Sequence, residues 1–196
     1  MERFENTGQP DWDWWGRLWP TPGATLQKLG IGPGDAVAEV GCGNGYFALP
    51  AARITAPAPV YAVDLDETLL AELEALAGQQ HVENVVPIQG DARELASVLP
   101  AAPDVVLLAN AFHGIEEPDA FAREVATALA PDGRLVVVNW QDRPRETTTV
   151  AGEPRGPPTE LRVGPDRTEA IVTGAGFEVV DRIDLPPYHY AIVFER

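Results

Sequence analysis

The chain has 196 residues, 45% of them hydrophobic and 22% charged, with 30 acidic against 14 basic side chains and a formal net charge of −16. That length suits one domain with a single core, and the composition argues against disorder. No apolar run reaches the roughly 20 residues of a membrane span, and the acidic field makes nucleic acid an unfavourable partner.

Cys42 is the only cysteine, so no intrachain disulfide can form. With His81, His113 and His189 scattered, no zinc-ligand spacing exists and no metal is expected. The start, MERFENTGQPDWDWW, lacks the basic and apolar regions of a secretory signal, so a cytoplasmic location is expected. Lys28 is the only lysine. An acid-rich, lysine-poor surface suits a high-salt cytoplasm, but a GC-rich genome also favours arginine, and both origins stay open.

The first twenty residues hold Trp12, Trp14, Trp15 and Trp19, four of the five tryptophans. Residues 1–33 read as a tryptophan-rich cap segment, and residues 34–196 as the main domain. After the cap, strand-like and helix-like segments alternate, the signature of a parallel sheet covered by helices. DAVAEV (Asp35 to Val40) is the first strand, GCGNG a tight loop, and Tyr46 to Ile54 a helix with Pro50 early in it. PVYAVD is a second strand ending at Asp64. Leu69, Leu70, Leu73 and Leu76 mark a helix from Asp66 to Ala77 that Gly78 should end. NVVPIQGD gives a third strand, and DVVLLAN a fourth, apolar throughout and therefore central. Pro118 to Leu129 is helical, and RLVVVNW is the fifth strand. Residues Gln141 to Pro165 form a long Pro-, Gly-, Thr- and Arg-rich loop of the kind that is often functional. A helix over Asp166 to Gly174 precedes GFEVVDRIDL and YHYAIVFER, which should pair as an antiparallel hairpin at the end of the sheet. The expected fold class is therefore α/β, a doubly wound, mostly parallel seven-stranded sheet with a C-terminal antiparallel hairpin.

Gly41, Gly43 and Gly45 lie between a buried strand and a helix, where backbone N–H groups can meet an anion or a carboxylate. The spacing is not G-x-G-x-x-G, since Tyr46 stands where the last glycine would be, and no Gly-Lys-Ser/Thr follows. A pyrophosphate ligand, and with it a nucleotide-dependent oxidoreductase, is disfavoured. Asp64 closes the second strand, where a carboxylate can accept from both hydroxyls of a ribose. Asp66 suits an N-cap instead.

The segment Glu39, Gly41, Gly43 and Gly45 resembles motif I of class I S-adenosylmethionine-dependent methyltransferases. The ordered set EVGCGNG, VDLD, GDA, NAFH and the final GFEVV hairpin is similar to the small bacterial and archaeal ubiquinone/menaquinone-methylase-like enzymes. The resemblance covers roughly residues 34–196. It implies S-adenosylmethionine as cofactor, bound by Glu39, Gly41, Cys42, Gly43, Gly45, Asp64, Leu65, Asp91, Ala92, Asn110 and Ala111. In that scheme Leu65 packs on the adenine, Asp91 accepts from its amino group, and Asn110, Ala111 and Phe112 line the methionine part and the path to the acceptor. Asp91 also suits an N-cap, and both roles can hold at once. His113 is either a general base or a loop-orienting residue. Cys42 reads as a small packing residue rather than a nucleophile.

The acceptor is expected to be a small molecule. Trp15, Arg17, Phe112 and His189 are its candidate contacts, Arg17 for an anionic one. The alternative for the tryptophans is packing onto the domain or a homodimer face. One cysteine makes arsenite chemistry improbable, and no Asn/Asp-Pro-Pro-Tyr/Phe motif follows the fourth strand, which argues against methylation of DNA bases or glutamine. A non-catalytic, regulatory domain that binds S-adenosylmethionine or S-adenosylhomocysteine is the alternative function.

Overall fold

The computed structural model describes residues 2–196. Seven strands form one sheet: β1 (Val37–Val40), β2 (Val60–Asp64), β3 (Val85–Gln89), β4 (Val105–Ala109), β5 (Arg134–Trp140), β6 (Glu178–Leu185) and β7 (His189–Glu195). Their order is β3-β2-β1-β4-β5-β7-β6. The first five run parallel, and β7 pairs antiparallel with both β5 and β6. The expected doubly wound sheet and closing hairpin are both present.

The strands β1 and β4 are buried on both faces, as their near-continuous apolar sequences require. Alternate residues supply two cores. Val37, Ala62, Leu107 and Val136 pack against α1 (Trp12–Leu18), α2 (Pro22–Lys28), α3 (Ala48–Thr55) and α4 (Glu67–Gln79). Val40, Val63, Leu108 and Val137 face α5 (Leu95–Val98), α6 (Pro118–Ala128) and α7 (Pro165–Gly174). Helices on both faces force the parallel crossovers, and the order reverses between β1 and β4. In open α/β sheets, ligands bind in the crevice beyond the strand ends at such a reversal.

The local details follow the sequence chemistry with some departures. Pro50 occupies the first turn of α3, where its missing N–H costs no helical bond. Asp66 caps α4, accepting from the Thr68 and Leu69 N–H groups. Gly78 does not end α4, which runs one residue further to Gln79; the turn behind it is made by His81 at φ 53. The tryptophan-rich start contains α1 and α2. Trp15, Leu26, Leu29 and Ile31 are buried in the same core as β1. The long loop holds a two-residue ribbon, Thr149–Val150 against Glu153–Pro154. It wraps round the buried Arg162, whose guanidinium donates to Pro157 O, Gln141 O, Thr148 Oγ1 and Arg155 O.

His189 corrects one expectation. Its side chain does lie opposite to Tyr190, but it points into the core and not toward a ligand. It is 1% exposed, with ring centroids 4.2 Å from Trp140 and 4.6 Å from Trp19, and its Nε2 has no hydrogen-bond partner. Burial pulls its pKa down to about 3, with Arg162 adding to the effect. The unfolded ring takes a proton near pH ~6.5, so unfolding takes one up between that pH and the folded value. Stability is full above the unfolded pKa and falls on acidification by at most about 1.4 kcal/mol per pH unit. His189→Leu should flatten this acid limb in urea melts at a series of pH values. An unchanged slope would contradict the assignment.

Candidate active site

Beyond the carboxyl ends of β1, β2 and β4 lies a cavity of about 470 Å³. Its floor is the glycine loop after β1. Gly41, Gly43 and Gly45 take φ values of 70°, 54° and 91°, which side chains with a Cβ adopt poorly. Gly43 faces the cavity, and its N–H donates to Asp64 Oδ2 at 2.8 Å. The other oxygen, Oδ1, accepts from Asp66 N–H at 3.0 Å. Asp64 thus joins the loop to the start of α4. Gly45 is different: a Cβ there would lie 2.1 Å from Leu73 Cδ1, so this glycine serves the close approach of α4 and does not line the cavity.

Glu39 lies in the middle of β1, level with Ala62 and Leu107, and is 3% exposed. Its Oε2 has no hydrogen-bond partner among the described residues. Burial, and then the nearby Asp64 carboxylate, hold its carboxyl well above the usual range. Burial, Glu39 and Asp64 also push the Cys42 thiol up, so it stays protonated and inert as a nucleophile. Asn110 follows β4 at φ 61, and both polar atoms of its side chain are buried without a partner. Buried polar groups without partners are rare. Two residues with such atoms in one cavity wall mark a place built for a polar ligand.

Leu65, Asp91, Ala92, Ala111 and Trp15 also line the cavity. Asp91 caps a 3-10 turn through Arg93 N–H and pairs with the Arg93 guanidinium at 3.0 Å. His113, 8% exposed, has Nδ1 3.2 Å from Asn139 Oδ1 and Nε2 3.3 Å from Asn6 O. Burial lowers its pKa, so the ring is neutral at pH 7 and carries one N–H. Nε2–H donating to Asn6, with the otherwise unpartnered Asn139 amide N–H turned toward Nδ1, satisfies the ring. Both nitrogens are therefore engaged, which is the geometry of an orienting residue.

Two further expectations are corrected. Phe112 is 1% exposed and packs in the α6 core, away from the cavity. Arg17 is exposed on α1 and also lies outside the cavity wall.

Residues 3–11, within the segment read as a cap, run across the cavity mouth. Glu5 N–H donates to Gly114 O, and Phe4 sits edge-on to Phe121 beneath the Arg93 guanidinium. Gln9 reaches furthest in. Its Oε1 accepts from Asn44 N–H at 3.3 Å and would lie 1.9 Å from a Cβ on Gly43. A side-chain carbonyl thus occupies the place beside the glycine loop that a ligand carboxylate suits.

A model of the methyltransferase domain family matches residues 38–137, from β1 into β5 and just over half of the chain. The chain belongs to this family. It is 39% identical over 71 residues to a probable cobalt-precorrin-6B C(15)-methyltransferase (decarboxylating) of Methanosarcina acetivorans, covering 36% of this chain and 39% of that protein. It therefore spans only about two fifths of that relative's length. It is 28% identical over 169 residues to a fibrillarin-like rRNA/tRNA 2'-O-methyltransferase of Methanothrix thermoacetophila, covering 85% of this chain and 73% of the other. Among solved structures, a SAM dependent methyltransferase from Aquifex aeolicus superposes with a TM-score of 0.79 at 22% identity over 92% of each chain. That likeness shows the fold.

Because the Glu39 carboxyl is held above its unfolded pKa, ionising it costs stability as pH rises through that interval. Glu39→Gln should stabilise the ligand-free protein at pH 7 by about 1 kcal/mol, seen as a higher midpoint in urea. A lower midpoint would show that Glu39 holds the fold together.

Proposed function

We propose that this methyltransferase-fold domain binds S-adenosylmethionine in the cavity and transfers its methyl group to a small-molecule acceptor. The observation that carries the reading is a buried Glu39 with an unpartnered Oε2 in the same cavity wall as the glycine loop, where the side-chain oxygens of Asp64 and Gln9 now hold the Gly43 and Asn44 N–H groups. Glu39 suits an ammonium and the loop a carboxylate, the two ends of an amino-acid tail. Asp64, at the end of β2, suits the ribose hydroxyls, and Asp91 with Ala92 suits the adenine edge. Asn110 offers both a donor and an acceptor to the methionine part.

When bound, the sulfonium supplies an already activated methyl group, so the protein's work is alignment and exclusion of water. The segment 3–11 and the loop 141–165 bound the cavity and suit that work. His113 ties the turn after β4 to β5 and to Asn6, and we assign it to positioning. The −16 charge and the bounded cavity favour a small acceptor over a nucleic acid. The ordered motifs are most like those of the ubiquinone/menaquinone-methylase-like enzymes.

Titration calorimetry with S-adenosylhomocysteine and with NAD tests the reading. S-Adenosylhomocysteine should bind and NAD should not. Asp64→Ala should weaken S-adenosylhomocysteine by about 1–3 kcal/mol, since it removes a charge-assisted acceptor and frees Gly43. An unchanged dissociation constant would refute the ribose assignment. No binding by the unaltered chain would refute the function.

A further inference from the structure

The cavity wall is charged unevenly. The strand ends contribute Glu39, Asp64 and Asp91, whereas the long loop contributes Arg145 and Arg155. Neither arginine has a carboxylate within ion-pair distance among the described residues.

Arg155 is the more telling of the two. Its guanidinium lies over the Trp14 ring, 5.0 Å from the centroid. Its Nε is buried without a hydrogen-bond partner among the described residues. Arg155 lines the cavity, and a buried N–H of a permanent cation needs an acceptor. Arg145 is held beside it, donating from Nε to Gly156 O and from one Nη to Pro154 O, with its other Nη uncommitted. The loop that presents both is fixed by the buried Arg162, whose own donors are spent on that loop.

The wall between the two charged regions is aromatic, with Trp14, Trp15, Tyr46 and Trp140, and we propose that the methyl acceptor is a flat, conjugated molecule bearing a carboxylate that Arg155 receives with Arg145 in support. Trp14 covers one side of the Arg155 guanidinium, which leaves its fork to meet a planar anion. This places a cationic donor against the carboxylates of the strand ends and an anionic acceptor against the arginines of the loop. The inference rests on the methyl-transfer reading and names the acceptor class for the same site.

The test uses the full chain saturated with S-adenosylhomocysteine and two matched probe pairs: salicylate with salicylamide, and naphthoate with naphthamide. Binding is read by tryptophan fluorescence. At least one acid should bind about tenfold more tightly than its amide. Arg155→Met, which keeps an apolar stem over Trp14, should abolish that preference, and Arg155→Lys should retain part of it. Arg17→Met, outside the cavity, should leave it intact. Affinity for S-adenosylhomocysteine, measured on every variant, reports whether the fold and the donor site survive. Should Arg155→Met fail that control, Arg145→Met carries the test with a smaller expected loss. If no acid is preferred over its amide, including the case in which no probe binds, the inference is overturned. The same holds if the preference survives both methionine variants. Failure of S-adenosylhomocysteine itself to bind is a separate result that overturns the methyl-transfer reading.

Discussion

A carboxylate in the middle of a buried strand is the feature around which this protein is organised. Glu39 occupies a position where a parallel sheet of this kind ordinarily places valine or leucine, and it leaves an oxygen unpartnered. Burial of such a group costs free energy that packing alone does not return. The neighbouring structure deepens that cost, because Asp64 is committed to the Gly43 and Asp66 N–H groups and repels Glu39 instead of neutralising it. The sheet reversal between β1 and β4 explains how the chain tolerates this arrangement. There the crossovers diverge to opposite faces and leave a crevice into which a ligand can bring the missing cation.

The same logic extends across the cavity. Glu39, Asn110 and Arg155 each contribute buried polar atoms without partners, and all three line one wall or another of the same space. Other orphaned atoms behave differently. His189 Nε2 and Trp19 Nε1 lie in the aromatic core under α1, where they cost stability and stand outside the wall of this cavity. The distinction between a site and a flaw in packing is therefore geometric: a common open volume, with opposite charges placed on strand ends and on a loop.

Much of the fold was legible because its signals are local. The run VAEV followed by three glycines, and VYAVD ending in a carboxylate, encode a buried strand, a sharp turn and a polar strand end within a few residues. Helix ends were less legible: α4 passes Gly78 because a turn at His81 closes it more effectively. The cavity mouth was legible as a cap segment, but its path was not, for a different reason. Residues 3–11 have no periodicity, and their conformation comes from distant partners: Glu5 on Gly114, Asn6 on His113, Gln9 on Asn44. Strand alternation correctly set His189 apart from Tyr190, but it could not say which face held the ligand. Arg17 and Arg155 are alike as residues in a sequence. Only the folding of the loop round Arg162 puts Arg155, and not Arg17, in the cavity wall.

The account depends on a cation arriving beside Glu39, and proton counting observes that event directly. Titration of the chain with S-adenosylhomocysteine at about pH 6, in buffers of different ionisation enthalpy, gives the number of protons exchanged on binding. A ligand ammonium favours the ionised carboxylate, so binding should release protons, tighten as the pH rises, and lose both behaviours in Glu39→Gln. Binding with no proton released, or with release unchanged in that variant, would contradict the central role given to this carboxylate.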